Sequence, residues 1–180
     1  MTPRRARVEL RSPALADCDE FLAAMRASRR LHRPWLVGPT TAEEYDRLLV
    51  RVEDERYDPL FVCRRDGGAI VGFFNISEIV RGVFQSAFLS YGAVAVYAGH
   101  GYMSEGLELV LARAFTDLRL HRLEANIQPG NTASIALVKR AGFVYEGFAE
   151  RYLKIGGRWR DHEHWAIRAE QWRSSSRPRP

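Results

Sequence analysis

The sequence has few cysteines and no long apolar run, and each absence removes a class of protein. Its two cysteines, Cys18 and Cys63, stand in neither a CxxC pair nor a Cys/His spacing, so neither a metal site nor a redox motif is expected and both are interpreted as core thiols. No stretch approaches the roughly 18 apolar residues of a membrane-spanning helix, and the N-terminal segment MTPRRARVEL lacks the apolar part of a secretion signal. A cytoplasmic protein that does not contact a membrane is predicted.

Charge of one sign is only modestly in excess. The formal net charge is +5, and Arg173, Arg177 and Arg179 all lie in the terminal stretch RSSSRPRP. A segment of this composition is predicted to be a disordered basic tail over residues 173–180. The remaining excess is small and fits an anionic cofactor or an acidic partner as well as RNA, so nucleic-acid binding is not favoured.

The rest of the chain is predicted to form one domain, residues 1–172, because 180 residues with 46% hydrophobic content can bury a core without covalent links. Residue periodicity predicts a strand at 4–10, helices at 17–26 and after Thr41, strands at 60–64, 69–77 and 88–96, a helix at 104–118, a strand at 122–127, a short helix ending at Gly142, and two strands flanking Gly156 and Gly157. Thr41 and Glu44 form a T-x-x-E capping box. No internal repeat is found.

The segment most informative about chemistry is residues 91–104, YGAVAVYAGHGYMS. Gly99 and Gly101 lie between a predicted strand and a predicted helix, where glycines let backbone N–H groups turn toward one anion beside the positive helix end. No Gly-Lys-Ser/Thr follows, and the third glycine of a dinucleotide fingerprint is missing. The pattern indicates a diphosphate-bearing cofactor bound through the backbone, with a tight packing turn as the open alternative.

Residues 98–103 resemble the acetyl-CoA turn of the GNAT acetyltransferases, Q/R-x-x-G-x-G/A, although Ala98 and Met103 depart from it. The resemblance implies acetyl-CoA as acyl donor. It implies an α/β (α+β) fold with one mixed, mostly antiparallel twisted sheet of about six or seven strands, splayed at the cofactor strand, and about four helices. The residues that it assigns to cofactor binding are Tyr91, Gly92, Ala93, Gly99, His100, Gly101, Tyr102, Met103, Ser104 and Asn131.

Further motifs resemble one branch of that family. The pattern N-x-x-S…GF…EG at residues 131–147 is similar to a segment of the enzymes that modify ribosomal-protein N-termini. The stretches 80–84 and 152–162 resemble the group that acts on the N-terminal alanine of a small-subunit ribosomal protein. The implied acceptor is a protein α-amine. For Asn131 a helix-capping role, and for Gly142 a helix-stop role, remain alternatives.

The catalytic acid and base of better-studied relatives cannot be transferred to this chain. Counted from Asn131, the Glu position holds Asn126 and the Tyr position holds Val138. Glu124 lies two residues before Asn126 on the same face of a strand and is predicted to act as base, directly or through water. Pairing of Glu124 with a neighbouring basic residue is the alternative.

Ser134 is predicted to relay a proton to the departing sulfur, with helix capping as its alternative. A cationic peptide terminus favours carboxylate and aromatic neighbours. On that basis the residues assigned to substrate binding are Trp35, Arg81, Tyr152, Trp159 and Asp161, with His162 as a further candidate. Packing roles remain open for the three aromatic residues and for His162.

Two other functions stay open at the level of sequence. The acceptor is a small amine such as a polyamine, an amino sugar or an amino acid in the first. In the second the chain binds CoA without transferring acetyl, which the residues at positions 126 and 138 suggest. A monomer and a homodimer are both compatible with the sequence.

Overall fold

The computed structural model describes residues 6–176. Along the chain its elements are β1 (Val8–Arg11), α1 (Cys18–His32), α2 (Ala42–Val52), β2 (Tyr57–Arg64), β3 (Ile70–Val80), β4 (Ser86–Ala93), α3 (Tyr102–Ala112), β5 (Arg122–Ile127), α4 (Thr132–Arg140), β6 (Val144–Ile155), β7 (Arg158–Arg168) and α5 (Ala169–Ser176). The predicted element order is confirmed, with α5 in addition. No helix in the described range is long and apolar enough to cross a membrane.

Several element boundaries differ from the predicted ones. Helix α1 continues past Arg26 because Ser28 and His32, although polar, are buried on its inner side and hydrogen-bonded to the main chain. The predicted helix 104–118 starts earlier, at Tyr102, and its last part is a π-helical turn. Strand β4 ends at Ala93 because a short 3₁₀ turn follows it.

Part of the segment predicted to be a disordered tail is helical. Helix α5 includes residues 173–176, which the sequence assigned to a disordered tail. The remainder of that tail, 177–180, lies outside the described residues, as do residues 1–5 and with them the start of the first predicted strand. The capping box of α2 is confirmed, since the Thr41 side chain accepts from the Glu44 amide.

The seven strands form one sheet in the order β1-β2-β3-β4-β5-β7-β6. Helices α3 and α4 pack on one face, where the larger core includes Leu89 and Leu123. Helices α1 and α2 pack on the other face, where Phe21 stacks on Phe61 with ring centroids 4.6 Å apart. Each such buried side chain contributes roughly 1.5–3 kcal/mol relative to exposure, so both helix layers are fixed against the sheet.

Strands β4 and β5 pair in parallel over only a short stretch, from Ser86↔Arg122 to Phe88↔Glu124. Beyond it, β4 stays paired with β3 and β5 stays paired with β7, each to its last residue. The two strands therefore diverge, and the facing edge of each is open. The splay predicted at the cofactor strand is confirmed, and we call the space between the strands the gap.

Candidate active site

A cavity of about 490 Å³ extends from the gap to the N-terminal end of α3. The end of β4, the turn before α3, the first turns of α4 and the last turn of α1 enclose it. Predicted cofactor and catalytic residues that line it are Tyr91, Gly92, Ala93, Gly99, Gly101, Tyr102, Met103, Ser104, Asn131 and Ser134. His100, predicted to join them, is exposed and does not line it. We call this space the cofactor cavity.

The turn at the outer end of the cavity depends on two left-handed glycines. Gly99 and Gly101 have φ of +81° and +84°. A Cβ at Gly99 would meet nothing within 4 Å, so backbone conformation rather than crowding requires glycine there. The amides of Tyr102 and Met103, the first residues of α3, have no acceptor within the helix. These amides and the positive helix end can bind a diphosphate.

Two amides of the predicted cradle are already engaged within the protein. The His100 amide donates to the Tyr97 carbonyl at 3.4 Å, and the Ser104 amide donates to the Gly101 carbonyl at 3.1 Å. A diphosphate at this turn therefore has fewer backbone donors than the span from Gly99 to Ser104 predicts.

Two arginines that the sequence reasoning missed lie around the turn. Arg7 donates to the His100 carbonyl at 2.9 Å and pairs with Glu105 at 2.7 Å, while its guanidinium lies 4.5 Å from the Tyr102 ring centroid. Arg140 of α4 lines the cavity. Arg7 thus fixes the turn, and Arg140 supplies positive charge for a phosphate. Arg7 and His100 are 93 positions apart in the chain, so no local pattern indicated this contact.

At the inner end of the cavity, Tyr91 of β4 meets Ser134 in the first turn of α4. Tyr91 Oη lies 2.5 Å from Ser134 Oγ, and burial raises the pKa of Tyr91 to about 12. The Asn131 side chain accepts from the Ser134 amide at 3.2 Å and caps α4. Asn131 thus caps α4 and also lines the cofactor cavity, so its contact with the cofactor stays a prediction. The Ser134 hydroxyl makes its hydrogen bond with Tyr91.

The last turn of α1 and the segment after it cover the gap. His32 Nε2 lies 2.8 Å from the Ala93 carbonyl oxygen. The Gln128 side chain donates to the Trp35 carbonyl at 3.2 Å. The Trp35 ring packs against Gly130, where a Cβ would lie only 3.0 Å from it. Trp35, predicted to contact the acceptor, is thus a wall of the cofactor cavity.

Glu124, predicted to be the base, is paired with an arginine. Arg122 Nε donates to Glu124 Oε1 at 2.8 Å, and the same guanidinium binds both carboxylate oxygens of Glu146. Glu124 does not line the cofactor cavity. This geometry matches the alternative interpretation, in which Glu124 pairs with a basic residue. The two positions where relatives carry an acid and a base also differ: Val138 is fully buried, and Asn126 bonds to His164.

A second cavity, of about 600 Å³, adjoins the first and shares Leu36 and Tyr91 with it. Helix α2, the segment before it and strands β2 to β4 enclose this space. Aromatic rings, among them Phe61 and Phe73, form its inner surface. Because the two cavities meet at Leu36 and at Tyr91 of β4, we call the second one the acceptor cavity.

The charged side chains of the acceptor cavity are mainly positive. Arg47 and Arg51, one turn apart on α2, both line it. Glu44 is the only carboxylate among its described lining residues, and that side chain accepts from the Thr40 amide at 2.6 Å and from the Thr41 amide at 3.2 Å. The cavity therefore presents positive charge to whatever enters it.

Four predicted substrate residues line neither cavity. Arg81 donates to a main-chain carbonyl, and Asp161 accepts from a main-chain amide of β6 at 2.8 Å. Trp159 is 60% exposed near the turn between β6 and β7. The Tyr152 ring packs edge-on against His164, with centroids 4.6 Å apart. Their contact with a substrate stays a prediction.

The shape of the cofactor cavity is typical of one class of protein. A long ligand with its diphosphate at the start of α3 and its arm along the open edge of β4 fits the cofactor cavity, and this is the arrangement of an acyl-CoA-dependent acyltransferase. Residues 7–144 match the family model "Acetyltransferase (GNAT) domain". The chain belongs to the GNAT family of acetyltransferases, and its acyl donor is acetyl-CoA.

Individual relatives agree with this assignment. The chain is 36% identical over 124 residues to "Probable N-acetyltransferase YjcK" of Bacillus subtilis, covering 69% of this chain and 67% of that protein. It is 37% identical over 107 residues to the Escherichia coli [Ribosomal protein uS5]-alanine N-acetyltransferase, covering 59% of this chain and 55% of that enzyme. Mycobacterium smegmatis RimJ in complex with CoA-disulfide superposes with a TM-score of 0.83 at 29% identity, covering 91% and 82% of the two chains.

Proposed function

We propose that this chain transfers an acetyl group from acetyl-CoA to the N-terminal α-amine of a protein, most specifically a ribosomal protein in the cytoplasm. The similarity to the uS5-alanine acetyltransferase supports this acceptor. The proposal rests on the acceptor cavity, which shares Leu36 and Tyr91 with the cofactor cavity and, at about 600 Å³, can hold a short extended segment of chain.

The residues around the gap suit acyl transfer to an amine. Bound acetyl-CoA supplies a thioester carbonyl to be attacked and a thiolate that leaves. The open edge of β4 near Ala93 offers main-chain donors for the carbonyl oxygen. Ser134 Oγ, hydrogen-bonded to Tyr91, gives a proton to the departing sulfur. A protein α-amine has a pKa near 8, so about a tenth is neutral at pH 7 and a modest base suffices.

The charge of the acceptor cavity disfavours a polyamine. The chain is also similar to a Vibrio cholerae spermidine N(1)-acetyltransferase, at 22% identity over 142 residues, and its fold superposes on a Vibrio cholerae spermidine N-acetyltransferase with a TM-score of 0.80. In this chain, however, Arg47 and Arg51 line the acceptor cavity and its carboxylate is engaged in capping α2. A ligand with several positive charges is repelled there, whereas a peptide terminus carries one positive charge and can place an acidic or neutral side chain beside the arginines.

An acetylation assay tests the acceptor. We expect an alanine-starting peptide to be acetylated on its α-amine with a kcat/KM at least about tenfold above that of spermidine, since two nearby like charges cost up to roughly 1 kcal/mol each. The double variant Arg47→Gln/Arg51→Gln is expected to lower the ratio of the peptide kcat/KM to the spermidine kcat/KM about tenfold at low salt. The effect of the double variant on this ratio should be smaller at high ionic strength, because the arginines are exposed.

The matched control is Arg29→Gln/Arg30→Gln, which removes the same charge from α1 outside both cavities. It should leave the ratio unchanged. Turnover of small amines without turnover of any peptide would replace the proposed acceptor by a small molecule. Binding of acetyl-CoA without turnover of any amine would favour a non-catalytic CoA-binding protein.

A further inference from the structure

We propose that His164 is the general base of this enzyme and takes the proton from the acceptor amine. The inference rests on the proposed function. It supplies a general base to a chain that has Asn126 where relatives carry a Glu, and in which Glu124 is paired with Arg122. Three features carry it: where His164 lies relative to the gap, which of its ring nitrogens is free, and what the other candidate bases are bound to.

His164 lies one strand away from the gap, on the face of the sheet away from α3 and α4, and outside the described lining of both cavities. Along β5, Leu123, Ala125 and Ile127 are buried in the core under those helices, so Asn126 points to the opposite face. Asn126 is two positions beyond Glu124, the last β5 residue paired with β4, and therefore borders the gap. His164 stands directly opposite Asn126 in the β5–β7 pair, and opposed residues share a face.

The hydrogen bond between the two side chains fixes the imidazole tautomer. His164 Nδ1 lies 2.6 Å from Asn126 Oδ1. An amide oxygen only accepts, so Nδ1 carries the hydrogen and donates it. In the neutral ring Nε2 then holds the lone pair. No hydrogen bond to Nε2 occurs within residues 6–176, so this nitrogen is available to accept a proton.

The surroundings of His164 hold the ring in place. Its edge packs on Tyr152 of β6, and it is half-buried. The titratable groups facing it are Tyr152 and Glu146 of β6, Arg122 and Glu124 of β5, and His162 of its own strand. Of these, Arg122 forms hydrogen bonds with both carboxylates, those of Glu124 and Glu146.

The other candidate bases, His162 and His32, are buried. Burial lowers the pKa of His162, the residue is 3% exposed, and its Nδ1 donates to the Arg160 carbonyl at 2.9 Å. His32 donates from Nε2 to the Ala93 carbonyl, and although this leaves its Nδ1 as an acceptor, the residue is only 6% exposed. His164 differs from both histidines because it is half-buried while its ring is fixed through Nδ1.

The proton balance of the step is complete with these residues. As the amine nitrogen forms its bond to the acetyl carbon, Nε2 of His164 accepts the proton that the nitrogen loses. The C–S bond breaks, and the sulfur takes a proton from Ser134 Oγ. The products are the acetylated amine and free CoA thiol, and solvent returns a proton to Ser134 and removes one from His164.

The test compares His164→Gln and His164→Ala with the wild type on an alanine-starting peptide. General-base catalysis contributes typically 10²–10⁴-fold, so kcat is expected to fall at least about 100-fold at pH 7 while the Kd for acetyl-CoA, measured by calorimetry, changes less than about threefold. The fall in kcat relative to the wild type should be smaller toward pH 9, because the α-amine then loses its proton to solvent. Added imidazole should restore part of the His164→Ala rate.

The control is His121→Gln, which removes an exposed histidine that pairs with Glu170 away from both cavities and should leave kcat unchanged. If both His164 variants bind acetyl-CoA and keep kcat within about threefold of the wild type at pH 7, or if the deficit does not depend on pH and imidazole rescues nothing, His164 is not the base. Either result leaves the proposed function standing. The proposed function itself fails only if the wild-type chain does not acetylate the peptide.

Discussion

Replacing Gly101 with valine is expected to weaken acetyl-CoA binding at least about 100-fold, which corresponds to about 2.7 kcal/mol. Gly101 has φ of +84° at the start of α3, a conformation that costs a β-branched residue on the order of 1–3 kcal/mol. A Cβ there would also lie 3.2 Å from Arg7 Nη2. Relief of this strain turns the amides of Tyr102 and Met103 away from the diphosphate. Calorimetric titration with acetyl-CoA measures the loss.

Gly157→Val is the matched control for this variant. Gly157 has φ of +80° in the turn between β6 and β7, and a Cβ there would meet nothing within 4 Å. Its strain is therefore similar but lies away from the cofactor cavity. Both variants should lower the melting temperature, whereas only Gly101→Val should lose affinity for the cofactor. A folded Gly101→Val protein with wild-type affinity would show that the diphosphate binds elsewhere.

Ser134→Ala is expected to lower kcat about 100-fold with little change in the KM for acetyl-CoA, because general-acid assistance acts on the departing sulfur and not on cofactor binding. Tyr91→Phe should lower kcat in the same direction by a smaller factor. Since the two hydroxyls form one hydrogen-bonded pair, the double variant should be about as slow as Ser134→Ala alone. Steady-state kinetics with a thiol-detecting reagent provides these values.

The pH dependence follows from the buried phenol. Burial raises the pKa of Tyr91 to about 12, so the phenol stays protonated up to about pH 10, and its ionisation should not lower the wild-type rate in that range. Thr132→Ala, an exposed neighbour in the first turn of α4, is the control for helix stability. A Ser134→Ala enzyme as fast as this control would mean that water, not the hydroxyl pair, protonates the sulfur.

The parts of the fold that local patterns control could be predicted from the sequence. The Thr41 and Glu44 capping box marked the start of α2, and Gly99 and Gly101 marked the turn before α3, because left-handed turns and helix caps depend on a few adjacent residues. The splay between β4 and β5 came from the family resemblance instead, since no local signal encodes where two distant strands part.

The parts of the site that depend on long-range contacts could not be predicted. Pairing of Glu124 with a neighbouring basic residue could be expected from the sequence as an alternative, but the part of Glu146, 24 positions from Arg122, could not. His164 reaches Asn126 across 38 positions, and only the register of β7 against β5 brings them together. A search for polar residues at even spacing on both strands would have found the pair only if that register had been known.

Calorimetric titration of the wild-type chain with acetyl-CoA and with pantetheine, which lacks the diphosphate and the nucleoside attached to it, tests most directly whether the turn before α3 binds that end of the cofactor. The predicted result is one site per chain for acetyl-CoA and binding at least about 100-fold weaker for pantetheine, since most of the contact energy is placed at the diphosphate. No association of acetyl-CoA at about millimolar concentration, or equal affinity for the two ligands, would contradict the account.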